Sequence, residues 1–133
     1  MPPIVRGQAR GVPCAASRWS TIRGVASLQS CMGIDAQLRD EVGQILAEVG
    51  DPGGLLARAA TRHALSGTVL LRYLMPWGDA VFNQAQAADL LRDLRSVRSE
   101  HEGRPLAAHL QSIEPLVERL QGEVHHYLWF VGD

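Results

Sequence analysis

Hydrophobic residues fall into blocks whose spacing predicts the elements of one small domain. In the first block they recur every three or four residues, with Asp35 as a start cap and Gly50 as a stop, which predicts a helix over residues 36–49. This block consists of Ile34, Leu38, Val42, Ile45, Leu46 and Val49. Asp51 and the proline after it repeat the start signal and predict a short second helix that ends near His63.

Two longer amphipathic patterns lie in the C-terminal half. Asn83, with Gln three residues later, has the spacing of a capping box, and the apolar residues that follow predict a helix over residues 84–99. Another pattern steps by four and three residues over residues 106–120, which predicts a second long helix. Pro115 falls inside it, and since an interior Pro costs a helix about 3 kcal/mol, we expect a kink or a break near Ser112.

A seven-residue pattern, Tyr-Leu-x-x-x-Gly-Asp, occurs twice in the chain. The first copy is Tyr73–Asp79 and the second is Tyr127–Asp133. Each copy overlaps an apolar run rich in β-branched or aromatic residues, over residues 68–75 and 124–131, which is typical of a buried strand. Gly tolerates positive φ and Asp bonds to local backbone, so both strands are expected to turn at Gly-Asp. The repeat arises either by duplication of an α-α-β unit or by chance similarity of two core strands.

These elements predict a small, helix-rich single domain of the α+β class. Their order is α-α-β-α-α-β, with a sheet of about two strands covered by amphipathic helices. The length of 133 residues is that of one domain. The last strand is apolar on both faces, so we expect it to be central or covered on both sides.

The distribution of charge divides the chain near residue 32. Residues 1–31 contain four Arg, no acid and no sustained apolar period, so we expect a disordered basic arm or an upstream extension that the fold does not need. A targeting segment is the alternative. Residues 32–133 contain nine Arg against 14 Asp and Glu and form the acidic α+β domain.

Missing residue types exclude several classes of function. All 13 basic residues are Arg, and a lysine-free chain lacks the Lys of phosphate-binding loops and of Schiff-base enzymes. Cys14 and Cys31 are the only cysteines, so residues 32–133 contain no thiol nucleophile or thiolate ligand. A Cys14–Cys31 disulfide is conceivable, but this cysteine usage favours a cytoplasmic protein. No apolar run approaches the roughly 20 residues that span a bilayer.

Acidic and aromatic residues follow the two predicted strands. If these strands pair in parallel, their ends meet at one edge of the sheet beside the capped start of a helix, where ligands collect. The predicted binding edge consists of Trp77, Asp79, Asn83, Trp129 and Asp133. Its carboxylates suit a cation or a basic partner. The structural alternative is that the aspartates cap turns and the tryptophans pack in the core.

No motif in the chain indicates catalysis, a cofactor or a metal ion. The five His lack the spacing of metal ligands, and neither Gly-x-Ser-x-Gly nor Gly-x-Gly-x-x-Gly occurs. Arg92, Arg95 and Arg98 alternate with acids, as on a solvated helix face, and the negative domain would repel nucleic acid. We therefore assign no catalytic, cofactor-binding or metal-binding residue.

The remaining class is a small non-enzymatic module that binds another protein. Bacterial immunity or antitoxin-like proteins and regulatory partner proteins have this general build, although no motif identifies such a family. Two alternatives stay open. One is a small enzyme that uses the carboxylates of the Gly-Asp edge, and the other is a structural domain.

Overall fold

The computed structural model describes residues 32–132, which form three α-helices packed against one face of a four-stranded antiparallel sheet. The strands are β1 (Ile34–Asp40), β2 (Ile45–Val49), β3 (Asp79–Phe82) and β4 (His126–Gly132). The helices are α1 (Leu55–Thr61), α2 (Ala87–Glu100) and α3 (Pro105–Gln121). Asp133 and the predicted arm of residues 1–31, with both cysteines, lie outside the described residues.

The α+β class is confirmed, but the predicted order of elements and the two-stranded sheet are wrong. The observed order over residues 32–132 is β-β-α-β-α-α-β, and the four strands lie side by side in the order β2-β1-β4-β3. All three pairings are antiparallel. The predicted central position of the last strand is confirmed, because β4 pairs with β1 on one side and with β3 on the other.

The predicted helix over residues 36–49 is instead the hairpin of β1 and β2. A spacing of four residues puts two side chains on one face of a strand as well as of a helix, so the apolar pattern fits both. Ile34, Ala36 and Leu38 alternate on the buried face of β1. Val42, which the helix would bury, lies in the turn with 83% of its surface exposed. Backbone N–H groups of residues 42 and 44 donate to the Asp40 carboxylate and hold this turn.

The predicted strand over residues 68–75 is also wrong, because this segment forms turns and a 3-10 helix, Leu71–Tyr73. The buried carboxylate of Asp93 in α2 accepts hydrogen bonds from the backbone N–H groups of residues 69–71 at 2.7–3.1 Å. Those donors are therefore not available for a sheet ladder. The chain joins the sheet only afterwards, at Asp79–Phe82, a strand that the apolar pattern did not predict.

The predicted helices after Gly50 are confirmed, with small changes at their ends. A 3-10 turn, Pro52–Gly54, precedes α1, and another, Gln84–Gln86, precedes α2. The capping box is present, since the backbone N–H of Asn83 donates to the side-chain oxygen of Gln86 at 2.9 Å. α3 runs through Pro115 without the break that we considered.

One apolar core lies between the helices and the inner face of the sheet. β4 contributes Leu128 and Phe130, and the Phe130 ring meets Phe82 of β3 edge-on, with 5.9 Å between ring centroids. Residues that pair across neighbouring strands share a face. The strand residues on the other side form the outer face, which none of the three helices covers. Asp35 and Gln37 of this face are nevertheless buried. The outer face consists of Asp35, Gln37, Arg39, Ile45, Glu48, Asp79, Val81, Tyr127, Trp129 and Val131.

Candidate binding surface

Trp129 is the centre of the outer face, because the strands on both sides place a side chain directly opposite it. Gln37 of β1 and Val81 of β3 are its two register partners. The guanidinium of Arg39 lies 4.2 Å from the centroid of the Trp129 ring, which is a cation–π contact. The tryptophan is half-buried and held by its neighbours, whereas Val81 has 44% of its surface exposed.

Polar side chains continue from this tryptophan across β1 to β2. Arg39 donates through Nε to the side-chain oxygen of Gln37 at 3.0 Å. Gln37 in turn donates through Nε2 to Glu48 at 2.6 Å. These contacts connect three strands on the outer face and restrict the side chains on it. A surface with fixed side chains loses little conformational entropy when it binds.

The two Gly of the repeated pattern meet at the end of β4. The backbone N–H of Gly132 donates to the carbonyl oxygen of Gly78 at 3.0 Å. A Cβ on Gly132 would lie 2.5 Å from the carbonyl oxygen of Met75, so only glycine allows the turn to pack this closely. Trp77 lies in that turn with 67% of its surface exposed. An exposed tryptophan therefore lies in the turn that joins the sheet at β3.

The structure brings part of the predicted binding edge together, but by a different geometry. Asp79 is opposite Val131 and belongs to the outer face with Trp129, on neighbouring antiparallel strands. Trp77 lies just before β3 and is exposed, so its predicted alternative as a core residue is wrong. Asn83 follows the far end of β3, away from Asp79 along the strand, and its backbone belongs to the capping box. Asp133 lies outside the described residues.

The net negative charge of residues 32–132 lies on the sheet side of the domain. The four strands and the β1–β2 turn carry five acids and one arginine, namely Asp35, Asp40, Glu41, Glu48, Asp79 and Arg39. The helices and the other loops in this range carry eight acids and eight arginines. The helical layer is therefore balanced, and the sheet layer is acidic. Sequence reasoning gave the overall charge but could not assign it to one side, because the hairpin was not predicted.

A buried carboxylate, which sequence reasoning identified only as a helix cap, binds three parts of the fold. Asp51 accepts hydrogen bonds from the backbone N–H groups of Ile34, Leu56 and Ala57 at 2.8–3.0 Å. Nε2 of His109 in α3 lies 3.3 Å from its Oδ1, and both side chains are almost fully buried. A substrate cannot reach a pair enclosed in this way, so we assign it to stability and not to catalysis. The sequence alone did not identify His109 as the partner of Asp51, because the two residues are 58 positions apart in the chain.

Burial by itself would raise the pKa of Asp51, because it disfavours the charged form. The close contact with His109 and the hydrogen bonds from the backbone N–H groups outweigh this effect, so the pKa of the carboxyl is lowered from its ordinary value of 3.8. Asp51 is therefore ionised at neutral pH.

Searches with the chain give no relative from which a role could be transferred: no protein-family model, no curated protein and no solved structure matches it. Within residues 32–132, no group of three or more His, Cys, Asp or Glu side chains is arranged to hold a metal ion. None of the helices in the same range is both long and apolar enough to cross a membrane. The outer face is the surface whose residues argue most directly for a function.

Proposed function

We propose that this protein is a protein-binding module and that its outer face, together with Trp77, contacts a partner surface rich in Arg and Lys. One observation carries the proposal: an aromatic and aliphatic strip, in which Val81 is exposed and the other residues are half-buried, lies on the acidic side of the sheet, where no helix of residues 32–132 covers it. The strip consists of Val81, Tyr127, Trp129 and Val131. Exposed apolar groups rimmed by charge are typical of protein interaction sites.

The charges on the sheet layer determine the kind of partner that we propose. Asp35 is buried, and the other four acids against one arginine attract a basic surface and repel an acidic one, which raises the rate of encounter and the selectivity more than the affinity. Tryptophans are frequent anchors of binding energy in interfaces. Trp77 and Trp129 are also suited to contact an arginine of the partner through their ring faces.

We extend this proposal to the biological setting expected from the composition. The partner is a protein that the module neutralises or regulates, as immunity, antitoxin-like and regulatory proteins do in the bacterial cytoplasm. The absence of thiols from residues 32–133 supports the cytoplasmic part of this setting.

The test compares matched variants of the full chain as bait in an extract of the native host. Trp77→Ala, Trp129→Ala and Asp79→Asn change the proposed surface. Tyr73→Ala is the control, because it removes another exposed aromatic ring from the 3-10 turn that packs near α2. Circular dichroism first shows that each variant is folded.

We expect a defined set of basic proteins to be retained by wild type and by Tyr73→Ala and lost from both tryptophan variants. Asp79→Asn should weaken retention mainly at about 50 mM salt, where charges on the rim of an interface are least screened. Equal recovery by all variants would refute the assignment of the surface.

Two other results would replace the proposal with a different one. A hydrolase activity that disappears only in Asp79→Asn and follows a carboxylate-dependent pH profile would identify an enzyme. Residues 1–31 carry four Arg and no acid. If a chain that begins at Met32 recovers more partner protein than the full chain does, these residues would be identified as an occupant of the outer face.

A further inference from the structure

The hairpin of α2 and α3 contains a polar groove on the helical layer, apart from the outer face. The groove has a volume of about 690 Å³, and Ala107 and Ala108 are among the residues that line it. Its polar lining comes from Arg95, Arg98, Ser99, Glu102, Arg104 and Gln111. Three arginines and one glutamate therefore line a space large enough for a small molecule.

A buried carboxylate orients two of these guanidinium groups. Glu114 of α3 places Oε1 3.6 Å from Nε of Arg95 and Oε2 3.3 Å from Nε of Arg98. Arg95 has a second carboxylate partner in Glu118, at 3.8 Å from its terminal nitrogen. Arg98 contacts Glu114 through Nε at 3.3 Å, and its two terminal nitrogens donate no hydrogen bond to another residue of the 32–132 range. A guanidinium held through Nε presents its terminal nitrogens as a fork for an oxyanion.

Arg104 adds a second cation at the start of α3. It is the N-cap residue, with extended backbone, and it makes no ion pair with another residue of the 32–132 range. The helix that follows begins with Pro105 and has neither a side-chain cap nor an acidic residue in its first turn. No residue of the first turn therefore compensates the positive end of this 17-residue helix, which adds to the attraction that the arginines exert on an anion.

We propose that this groove binds a phosphate dianion, free or as the monoester of a small molecule, between the guanidinium groups of Arg98 and Arg104. Arg98 supplies the fork, Arg104 supplies the second charge, and Ser99 and Gln111 supply neutral donors from both helices. Arg95, which already faces two carboxylates, positions Glu114. Glu102 is the one acid in the lining and opposes binding. This site is independent of the proposed protein-binding surface.

The test is an NMR titration of the full chain with inorganic phosphate and, separately, with O-phosphoserine, at constant ionic strength and neutral pH. We expect saturable shifts at the amides of Ser99 and Leu106–Ala108. Arg98→Gln and Arg104→Gln should each weaken the binding by about tenfold or more, because each removes a charged hydrogen-bond donor. Glu102→Gln should strengthen it.

Arg92→Gln is the matched control, since Arg92 is an exposed arginine of the same helix, pairs with Asp89 and does not line this groove. Arg104→Gln keeps the test decisive even if loss of Arg98 destabilises the fold, because Arg104 is exposed and unpaired within residues 32–132. Tighter binding of O-phosphoserine would identify a monoester ligand, and tighter binding of inorganic phosphate would identify the free ion. Shifts that do not saturate, or that Arg92→Gln and Arg104→Gln reduce equally, would overturn the site.

Discussion

Tyr73–Gly78 and the β4 segment from Tyr127 onward share Tyr, Leu and Gly at matching positions, yet the first is a 3-10 turn and loop and the second is a central strand. β4 has a ladder partner on both sides, whereas the first segment follows backbone whose donors are bound by Asp93 and contains Pro76, which has no N–H. An apolar, aromatic run thus becomes a strand only where neighbouring backbone can pair with it.

The two segments nevertheless have complementary roles at the same end of the sheet. The leucines at equivalent positions, Leu74 and Leu128, are both in the core. The glycines at equivalent positions join the two segments through the hydrogen bond from Gly132 to Gly78. The residues between leucine and glycine differ most. In β4 they belong to a ladder, whereas in the first segment Met75 and Trp77 are exposed and Pro76 is buried in a loop.

The largest expected contrast is between Phe130 and Trp77. Phe130 is fully buried and packs edge-on against Phe82, so Phe130→Ala should destabilise the fold by about 3–5 kcal/mol. Trp77 lies in the other segment and is mostly exposed, so Trp77→Ala should change stability by less than about 0.5 kcal/mol. Urea unfolding measures both. Equal losses would mean that the turn of the first segment is as much part of the core as β4 is.

A second contrast concerns aspartates that follow glycine, Asp51 and Asp79. Asp51→Asn removes a buried carboxylate that accepts three backbone hydrogen bonds, and leaving buried donors of this kind poorly satisfied should cost about 1–3 kcal/mol. Asp79 is exposed, so Asp79→Asn should be nearly neutral. Urea unfolding at pH 7 separates the two, and a neutral Asp51→Asn would show that its hydrogen bonds do not contribute to stability.

The pH dependence of stability should follow Asp51 in a defined direction. Because the folded protein lowers its pKa, the stabilisation is complete above the unfolded value, near 4. It should be lost as the pH falls through the lower folded value, where the native carboxylate takes up a proton. Asp51→Asn should therefore lose less stability than wild type between about pH 5 and pH 2. An unchanged slope in the variant would assign the acid sensitivity to other carboxylates.

The two glycines of the repeat should respond differently to an added methyl group. At Gly132 the new Cβ would lie 2.5 Å from the backbone oxygen of Met75 and 2.6 Å from that of Gly78. Such a contact must displace backbone, so Gly132→Ala should cost about 1–3 kcal/mol. At Gly78 the nearest atom is the flexible end of the Met75 side chain, so Gly78→Ala should cost less. A thermal scan of both variants tests this, and the reverse order would contradict the close packing at Gly132.

The helices were predictable because their signals are local and mutually consistent. The capping box at Asn83, the four-and-three spacing of α3 and the cap at Asp51 need no information from distant residues. The hairpin of β1 and β2 was not predictable, because a spacing of four residues fits both a helix and a strand. Only pairing with β4 decides between the two. For the same reason the predicted edge was half right. Trp129 and Asp79 do share a face, but the pairing that unites them is antiparallel and depends on residues far apart in the chain.

The smallest expected effect is the coupling energy between Trp129 and Arg39. Together with the cost of Trp129→Ala, it tests whether Trp129 lies on the outer face of β4 or in the core. If Trp129 were a core residue, Trp129→Ala would cost about 3–5 kcal/mol. Its half-buried position on the outer face predicts about 1–2 kcal/mol instead. A double-mutant cycle with Arg39→Gln should then give a coupling of about 0.5–1 kcal/mol, as for a cation–π pair at a surface.

A coupling near zero would mean that the Arg39 guanidinium does not stay on the ring, and a single-variant cost as large as that of Phe130→Ala would place Trp129 in the core. The expected result has a direct use for the binding hypothesis. A tryptophan whose removal leaves the fold intact can be replaced without confusing lost binding with lost structure. The partner experiment with Trp129→Ala would then report on contact alone, which no change on the inner face of the same strand could do.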